Sequence, residues 1–351
     1  MSWEDNIRRV IPYTPGEQPK VTGGLIKLNT NEFPYPPSPK VEAVLKNMDA
    51  ADLRLYPAPD VAPLRDAIAK RYKVSSDQVF VGVGSDDVLS MAFMTFFNSD
   101  KPVLFPDITY SFYDVWASVY RIPYKTLPLD ADFHMVKSDY MQENGGIIIC
   151  NPNAPTGVSE MEDADFIEDI VSKNQNSVVI VDEAYVDFGG VSALPLIEKY
   201  DNLLVIQTFS KSRAFAGMRI GFCVGCPKLI KYMNDVKYSV NSYTMNRPAI
   251  ECGVAAIEDE DYFKETVGKV VATREWTKKE LAARGFKFAD SKTNFIFASP
   301  SKCSAKELFD ELKKRNIYVR WWDKDRIRDY LRITIGTDDE MKAFIKAVDE
   351  I

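Results

Sequence analysis

Short, unbroken apolar runs alternate with amphipathic stretches through the first two thirds of the chain. The runs at 79–81, 103–105, 146–150, 177–181, 203–207 and 219–224 are mostly continuous and β-branched. Strands of this kind belong to a sheet covered on both faces. Between them the spacing turns helical. Leu64, Ile68 and Tyr72 fall on one face of 60–72, and further helices are predicted from 85 to 97, over 112–121 and over 164–173. This alternation predicts an α/β lobe around a mainly parallel sheet. Prolines at 12, 15, 19, 34, 36, 37 and 39 make residues 1–40 read as an irregular arm. In the last hundred residues, helices at 262–284 and 305–315 bracket shorter strands at 294–298 and 331–335, which suits a smaller α+β lobe. The division expected is an arm over 1–40 joining the small lobe, a large lobe over 41–250 and a small C-terminal lobe over 251–351. The acidic run 258–261 reads as a solvated connection between helices.

Two of the apolar runs end on chemistry. Lys211 follows 203–206 within Thr208-Phe209-Ser210-Lys211, and Arg219 stands eight residues further on. A lysine that sheds its proton when desolvated forms Schiff bases, and the neighbouring hydroxyls with Arg219 can hold a dianionic phosphate. The run 177–181 ends on Asp182-Glu183-Ala184-Tyr185. A buried carboxylate at a strand end suits a protonated pyridine nitrogen, as pyridoxal phosphate requires. In this order the two segments make pyridoxal phosphate the leading reading. Gly82-x-Gly84 invites a dinucleotide instead, but Asp87 stands where that fingerprint wants its third glycine. A phosphate at the N–H groups of Ser85 and Asp86 remains open, evenly balanced against an ordinary capped helix. The carboxylates of Asp86 and Asp87 are then expected to point away from it.

Composition narrows the chemistry further. The 351 residues are 46% hydrophobic and 27% charged, and 44 basic against 51 acidic residues leave a net charge of −7. That balance disfavours nucleic acid and anionic lipid as general partners. No apolar run approaches the roughly 18 residues of a membrane span, and the N-terminus lacks a signal-peptide pattern, so a cytoplasmic location is expected. His134 is the only histidine, which rules out a histidine-rich metal site. Cys223 and Cys226 form a C-x-x-C, yet they sit in an apolar strand with no second such pair, where thiols pack as small hydrophobes. No metal is expected.

Three further segments carry a resemblance: Ile11-Pro12-Tyr13-Thr14-Pro15-Gly16, Leu28-Asn29-Thr30-Asn31-Glu32, and Tyr330-Leu331-Arg332-Ile333-Thr334-Ile335-Gly336-Thr337. With the Asp182 and Lys211 segments they make the chain resemble, nearly end to end, the fold-type I pyridoxal-phosphate aminotransferases and, within them, the histidinol-phosphate aminotransferase family. The resemblance implies a large lobe around a seven-stranded sheet and transamination between histidinol phosphate and 2-oxoglutarate. It implies that Lys211 holds the cofactor as a Schiff base, that Asp182 keeps the ring nitrogen protonated and that Tyr185 hydrogen-bonds the ring hydroxyl. Ser85, Asp86, Thr208, Ser210 and Arg219 would complete the cofactor site, with Tyr110 stacked on the ring. Tyr56 would reach the phosphate from a neighbouring subunit, so a homodimer is expected. Arg332 would meet the substrate anion, with Arg320, Tyr13 and Asn31 nearby. In one place the chain departs from its relatives. Ala154, in Asn151-Pro152-Asn153-Ala154-Pro155-Thr156-Gly157, replaces the asparagine that contacts the ring oxygen. The expectation is that Asn153 or Asn151 substitutes; the other reading gives that contact to Tyr185 alone. An aromatic aminotransferase or a threonine-phosphate decarboxylase on the same fold remains open. So do, from other classes, a nicotinamide-dependent oxidoreductase and a pyridoxal-phosphate-binding regulator.

Overall fold

Residues 79–225 supply a single seven-stranded sheet in the computed structural model, which describes residues 2–20, 23–161 and 165–351. Ahead of it lie β1 (Ile26–Lys27), α1 (Pro39–Asn47) and α2 (Ala62–Tyr72). The sheet is built from β2 (Val79–Gly82), β3 (Val103–Pro106), β4 (Tyr124–Leu127), β5 (Gly146–Cys150), β6 (Val179–Asp182), β7 (Leu203–Thr208) and β8 (Gly221–Gly225). Between these strands run α3 (Ser85–Phe96), α4 (Tyr113–Tyr120) and α5 (Asp165–Lys173). The predicted helix at 164–173 therefore stands, although residue 164 lies outside the described residues.

The strand order is β2-β8-β7-β6-β5-β3-β4, with β8 antiparallel to both neighbours and the other pairs parallel. Six of the strands are the predicted apolar runs. The seventh, β4, escaped the pattern because it is an edge strand: Tyr124, Lys125 and Thr126 are exposed and only Leu127 is buried. Alternation along the central strands sends Ile147, Ile149, Val179, Val181, Leu203 and Val205 into one hydrophobic cluster with Leu64 and Ile68 of α2. Ile148, Ile180, Leu204 and Ile206 enter the other, with Phe93 of α3. All of these are buried. Burial on both faces is why the strands read as continuous apolar runs.

Beyond the sheet follow α6 (Pro227–Val240), α7 (Arg247–Ile257), the long α8 (Glu260–Ala283) and β9 (Lys287–Phe288). The chain ends with β10 (Phe295–Ser299), α9 (Ala305–Lys314), β11 (Ile317–Tyr318), β12 (Leu331–Thr334) and α10 (Asp338–Asp349). A three-stranded antiparallel sheet, β12-β10-β9, centres this smaller lobe. Residue 250 lies inside α7, which packs on α1 and α2 of the large lobe. Among the described residues, no helix is long and apolar enough to cross a membrane.

The arm is more regular than its prolines suggested. Residues 23–31 are free of proline, and β1 pairs in parallel with β11, tying the arm to the small lobe. Pro39, the last of the series, opens α1 at its first position behind the Ser38 cap, where a missing N–H costs nothing. The acidic run at 258–261 is the α7–α8 junction, but it is not simply solvated. Asp259 accepts a hydrogen bond from Ser38 and pairs with Lys40 at 3.2 Å.

One buried arginine ties the lobes together. Arg274 of α8 donates from Nη1 to the carbonyls of Phe188, in the large lobe, at 2.7 Å and of Thr293, in the small one, at 2.9 Å. Its side chain is 4% exposed. Arg274→Met should leave both carbonyls buried and unpaired, at a cost of about 2–5 kcal/mol. Urea unfolding of the purified variant checks this; a loss under about 1 kcal/mol would mean that water replaces the guanidinium.

Candidate active site

Parallel strands deliver their C-terminal ends, and the loops that follow, to one side of a sheet, where α/β proteins place their ligands. Here β6 ends at Asp182, β7 at Thr208 just before Lys211, β2 at the Gly82–Gly84 turn, and β3 just before Thr109 and Tyr110. A cavity of about 260 Å³ opens between these ends and the small lobe. A larger cavity, about 1150 Å³, lies at the opposite ends of β5, β6 and β7 among Asn144, Asn174 and Asn202, away from these loops.

Lys211 projects into the smaller cavity. Its Nζ lies 3.4 Å from the Thr30 carbonyl and 5.7 Å from the centre of the Tyr185 ring. Burial, reinforced by Arg332, pulls its ammonium down to about 8. Asp182, 3% exposed, sits at the end of β6 and accepts from the Tyr113 hydroxyl at 2.7 Å and from the Ala184 N–H at 3.2 Å. Burial pushes its carboxyl up to about 6 against the pull of those two donors. Glu183, next in sequence, turns away to Ser192, the Ala193 N–H and Gln207, and takes no part in the cavity.

Tyr185 is held from the arm. Asn31 Nδ2 donates to its hydroxyl at 2.9 Å, and Asn31 is itself fixed by Thr334 and by Asn294. Burial raises the Tyr185 phenol to about 12, so it enters the site as a neutral hydroxyl. Tyr13, also from the arm, stacks on Phe112 with ring centres 4.2 Å apart and lines the cavity.

The β2–α3 turn is a bare backbone cradle. Gly84 has φ +84°, and a Cβ there would strike the Arg219 guanidinium. A Cβ on Gly221 of β8 would strike the backbone of Gly84 and Ser85. No side chain caps the α3 N-terminus, so its N–H groups and dipole are free for an anion. Thr208 donates to Ser210 at 3.0 Å, keeping both hydroxyls at the end of β7. Asp87 folds back to accept from the Val83 N–H at 2.9 Å, as expected of a carboxylate turned away. Asp86 departs from that expectation. Its carboxylate faces inward, accepting from Tyr110 at 2.7 Å and meeting Arg219 at 3.3 Å. The Arg219 contact is long and two-fifths exposed, hence weak enough to yield to a phosphate.

At the far wall the two C-terminal arginines run side by side. Arg320 and Arg332 pair through their backbones at 3.0 and 2.9 Å, and both guanidinium groups lie 5.2 Å from the centre of the Trp322 ring. Arg332 donates to the Asn29 carbonyl at 3.0 Å, while its Nε is buried without a partner. Among the described residues neither arginine meets a carboxylate. Arginine so placed calls for an anion from outside the chain.

Three candidates are engaged elsewhere. Asn153 is buried but turned into its own loop: Oδ1 accepts from Thr109 at 2.8 Å, and Nδ2 donates to the Ile108 carbonyl and to Thr156, both at 2.9 Å. Asn151 accepts from the Glu160 N–H at 2.8 Å. Neither lines the cavity, where Ala154 and Pro155 do. Asn153 therefore has no donor left for a ring oxygen, whereas Asn151 Nδ2 is buried without a partner, and Tyr185 is the candidate that lines the cavity itself. Tyr56 is 79% exposed, its ring tilted against Tyr243, and outside this cavity. Sequence reasoning missed Tyr113, Trp322 and Thr109. The Tyr110-x-x-Tyr113 spacing and the Arg320-Trp321-Trp322 run were the available signals.

Comparison with known proteins agrees with this geometry. A family model described as aminotransferase class I and II matches residues 24–348. A histidinol-phosphate aminotransferase from Lactococcus lactis subsp. cremoris is 51% identical over 351 residues, covering 100% of this chain and 98% of that protein. One from Clostridium botulinum is 49% identical over 349 residues, covering 99% and 98%. Among solved structures, the histidinol-phosphate aminotransferase from Sinorhizobium meliloti in complex with pyridoxal-5'-phosphate superposes with a TM-score of 0.81 at 23% identity, covering 93% of this chain and 90% of that one. The enzyme of the same name from Clostridium acetobutylicum gives 0.84 at 20% identity, covering 93% and 98%.

The buried carboxylate gives a pH-dependent prediction for the cofactor-free protein. Asp182 binds its proton more tightly folded than unfolded, rising from the ordinary 3.8 to about 6. Its burial therefore costs stability above pH 6, and the cost disappears as pH falls towards 4. Asp182→Asn should be more stable than the parent at pH 8 by about 1–3 kcal/mol, with the gain gone near pH 4. Urea midpoints at the two pH values check this; an equal difference at both would exclude titration of Asp182 as the cause.

Proposed function

The chain belongs to the class I and II aminotransferase family, and on that premise we propose that it transfers an amino group between histidinol phosphate and 2-oxoglutarate, with pyridoxal phosphate as cofactor. The observation that carries the reading is a desolvated Lys211 amine facing two arginines that have no carboxylate partner among the described residues. Full-length relatives at about half identity, named for histidinol phosphate, support the substrate.

The donor set fits the cofactor. Lys211 would hold it covalently, Asp182 would pair with its ring nitrogen, and Tyr185 would meet its ring hydroxyl. Its phosphate would lie at the bare α3 N-terminus against Ser85, Asp86, Thr208, Ser210 and Arg219. Tyr110 would cover one face. When bound, pyridoxal phosphate supplies an electron sink for charge developing at the amine-bearing carbon of the donor.

The chain's own residues do the rest. Once the donor's amine displaces it from the cofactor, the Lys211 amine, which holds its proton only to about 8, would be the base that takes the proton from that carbon. The ionised Asp182 carboxylate keeps a positive partner beside it. Arg332, with Arg320 alongside, orients the donor anion. Glutamate offers an α-carboxylate and histidinol phosphate a phosphate ester on the adjacent carbon, and a planar guanidinium can pair with either.

A second copy is proposed to complete the site. Tyr56 stands outside its own cavity among exposed Leu53 and Leu55, which suits a residue lent across a dimer interface.

Replacing Lys211 by alanine should leave a folded protein without the visible absorbance of the lysine-bound cofactor, and turnover should fall by several orders of magnitude. A normal spectrum in that variant would move the attachment to another lysine. Arg332→Ala should slow single turnovers with glutamate and with histidinol phosphate, each by an amount on the order of 2–5 kcal/mol. Arg320→Ala should weaken the phosphate donor at least as much, since that donor carries more charge. If Arg332→Ala slows neither donor, the substrate assignment fails.

A further inference from the structure

Tyr113 is left unused by the mechanism above, yet it touches the acid that the mechanism depends on. Its hydroxyl donates to Asp182 Oδ2 at 2.7 Å, and its side chain is fully buried. The other carboxylate oxygen accepts from the Ala184 N–H. The tyrosine cannot swing away, because its ring stands edge-on to Phe105 at 5.8 Å and to Tyr110 at 5.7 Å. Tyr110 and Tyr113 lie one turn apart at the start of α4, with the Tyr113 N–H bonded to the Tyr110 carbonyl. That single turn presents one ring to the cavity and one hydroxyl to the acid behind it.

A buried tyrosine needs some acceptor for its hydroxyl, and packing alone would account for a hydrogen bond to any nearby oxygen. What sets this acceptor apart is its position at the C-terminal end of β6, beside Lys211. Phenol donation stabilises the ionised carboxylate over the protonated one. We infer that Tyr113 is a positioning residue that fixes Asp182 Oδ2 and, through this hydrogen bond, sets how far the proton shared between Asp182 and the ring nitrogen of pyridoxal phosphate rests on the ring. The inference rests on the cofactor reading above. Other groups also act on the carboxylate: Lys211 favours its charge and Asp86 opposes it. Cys150 is its register partner on β5. Tyr113 is the side chain that donates to it directly.

The test uses the holoenzyme loaded with pyridoxal phosphate carrying ¹⁵N in its ring. In Tyr113→Phe, which keeps the ring packing, the nitrogen resonance at pH 7 should move towards that of neutral pyridine, with the proton's distribution between ring and carboxylate changed about 10-fold. The cofactor-free protein, labelled with ¹³C at aspartate carboxyls, gives a second reading. There Asp182 should protonate at higher pH in Tyr113→Phe than in the parent. With 3,5-difluorotyrosine at 113, a stronger donor of the same shape, it should protonate at lower pH, so the inference stays testable even if the phenylalanine variant does not fold. A bound label with an unmoved resonance, or an Asp182 titration that neither substitution shifts, overturns the inference. Failure of the parent to bind the label would instead overturn the cofactor reading.

Discussion

Desolvation of the Lys211 amine is the constraint around which this molecule is arranged. In water the amine would hold its proton to about 10.5; at the end of β7, under the influence of Arg332, it holds it only to about 8. The same low-polarity setting acts on Asp182 in the opposite sense, pushing its carboxyl up to about 6. Burial thus makes the amine more acidic and the acid more basic, bringing both groups closer to neutral pH. Each is surrounded by fixed neighbours: Thr30 and Tyr185 around the lysine, Tyr113 and the Ala184 N–H around the aspartate.

Holding such groups out of water takes two lobes. The large sheet contributes Asp182, Lys211, Arg219 and Tyr110 from the ends of its strands, and the small lobe with the arm contributes Arg332, Arg320, Asn31 and Tyr13. Neither set makes a site alone. Arg274 joins the lobes through two carbonyls, and β1 on β11 fixes the arm against the small lobe. Asn31 then reaches Tyr185, so the arm steadies a side chain from the middle of the large lobe.

Charge placement in the cavity is uneven by design of the fold. Arg320 and Arg332 repel one another, and the Trp322 ring near both guanidinium groups offsets part of that repulsion. Asp86 partly satisfies Arg219 at the other end. Positive charge from Arg332 and from Arg219 thus reaches Lys211, which suits a cofactor and a substrate that each carry phosphate.

The sequence by itself determined the sheet strands that are buried on both faces, because such strands need continuous apolar runs, and it marked Lys211 and Asp182, because polar residues at the ends of such runs have no packing reason to be there. The family motifs carried Arg332, Arg320, Tyr13 and Asn31 to the same place. What the sequence could not determine were features that depend on a neighbour far along the chain. The edge strand β4 is polar on its open side, so it has no apolar signature. Asn153 looked free for a ring oxygen until Thr109, Ile108 and Thr156 used its amide. Asp86 looked misplaced beside a phosphate until Tyr110 and Arg219 faced it. Tyr113 was one more aromatic in an apolar helix until α4 laid its hydroxyl on Asp182. Local pattern decides which residues are buried. Only the packing of β3, β6 and α4 against one another decides what a buried polar group touches, and that contact sets its charge.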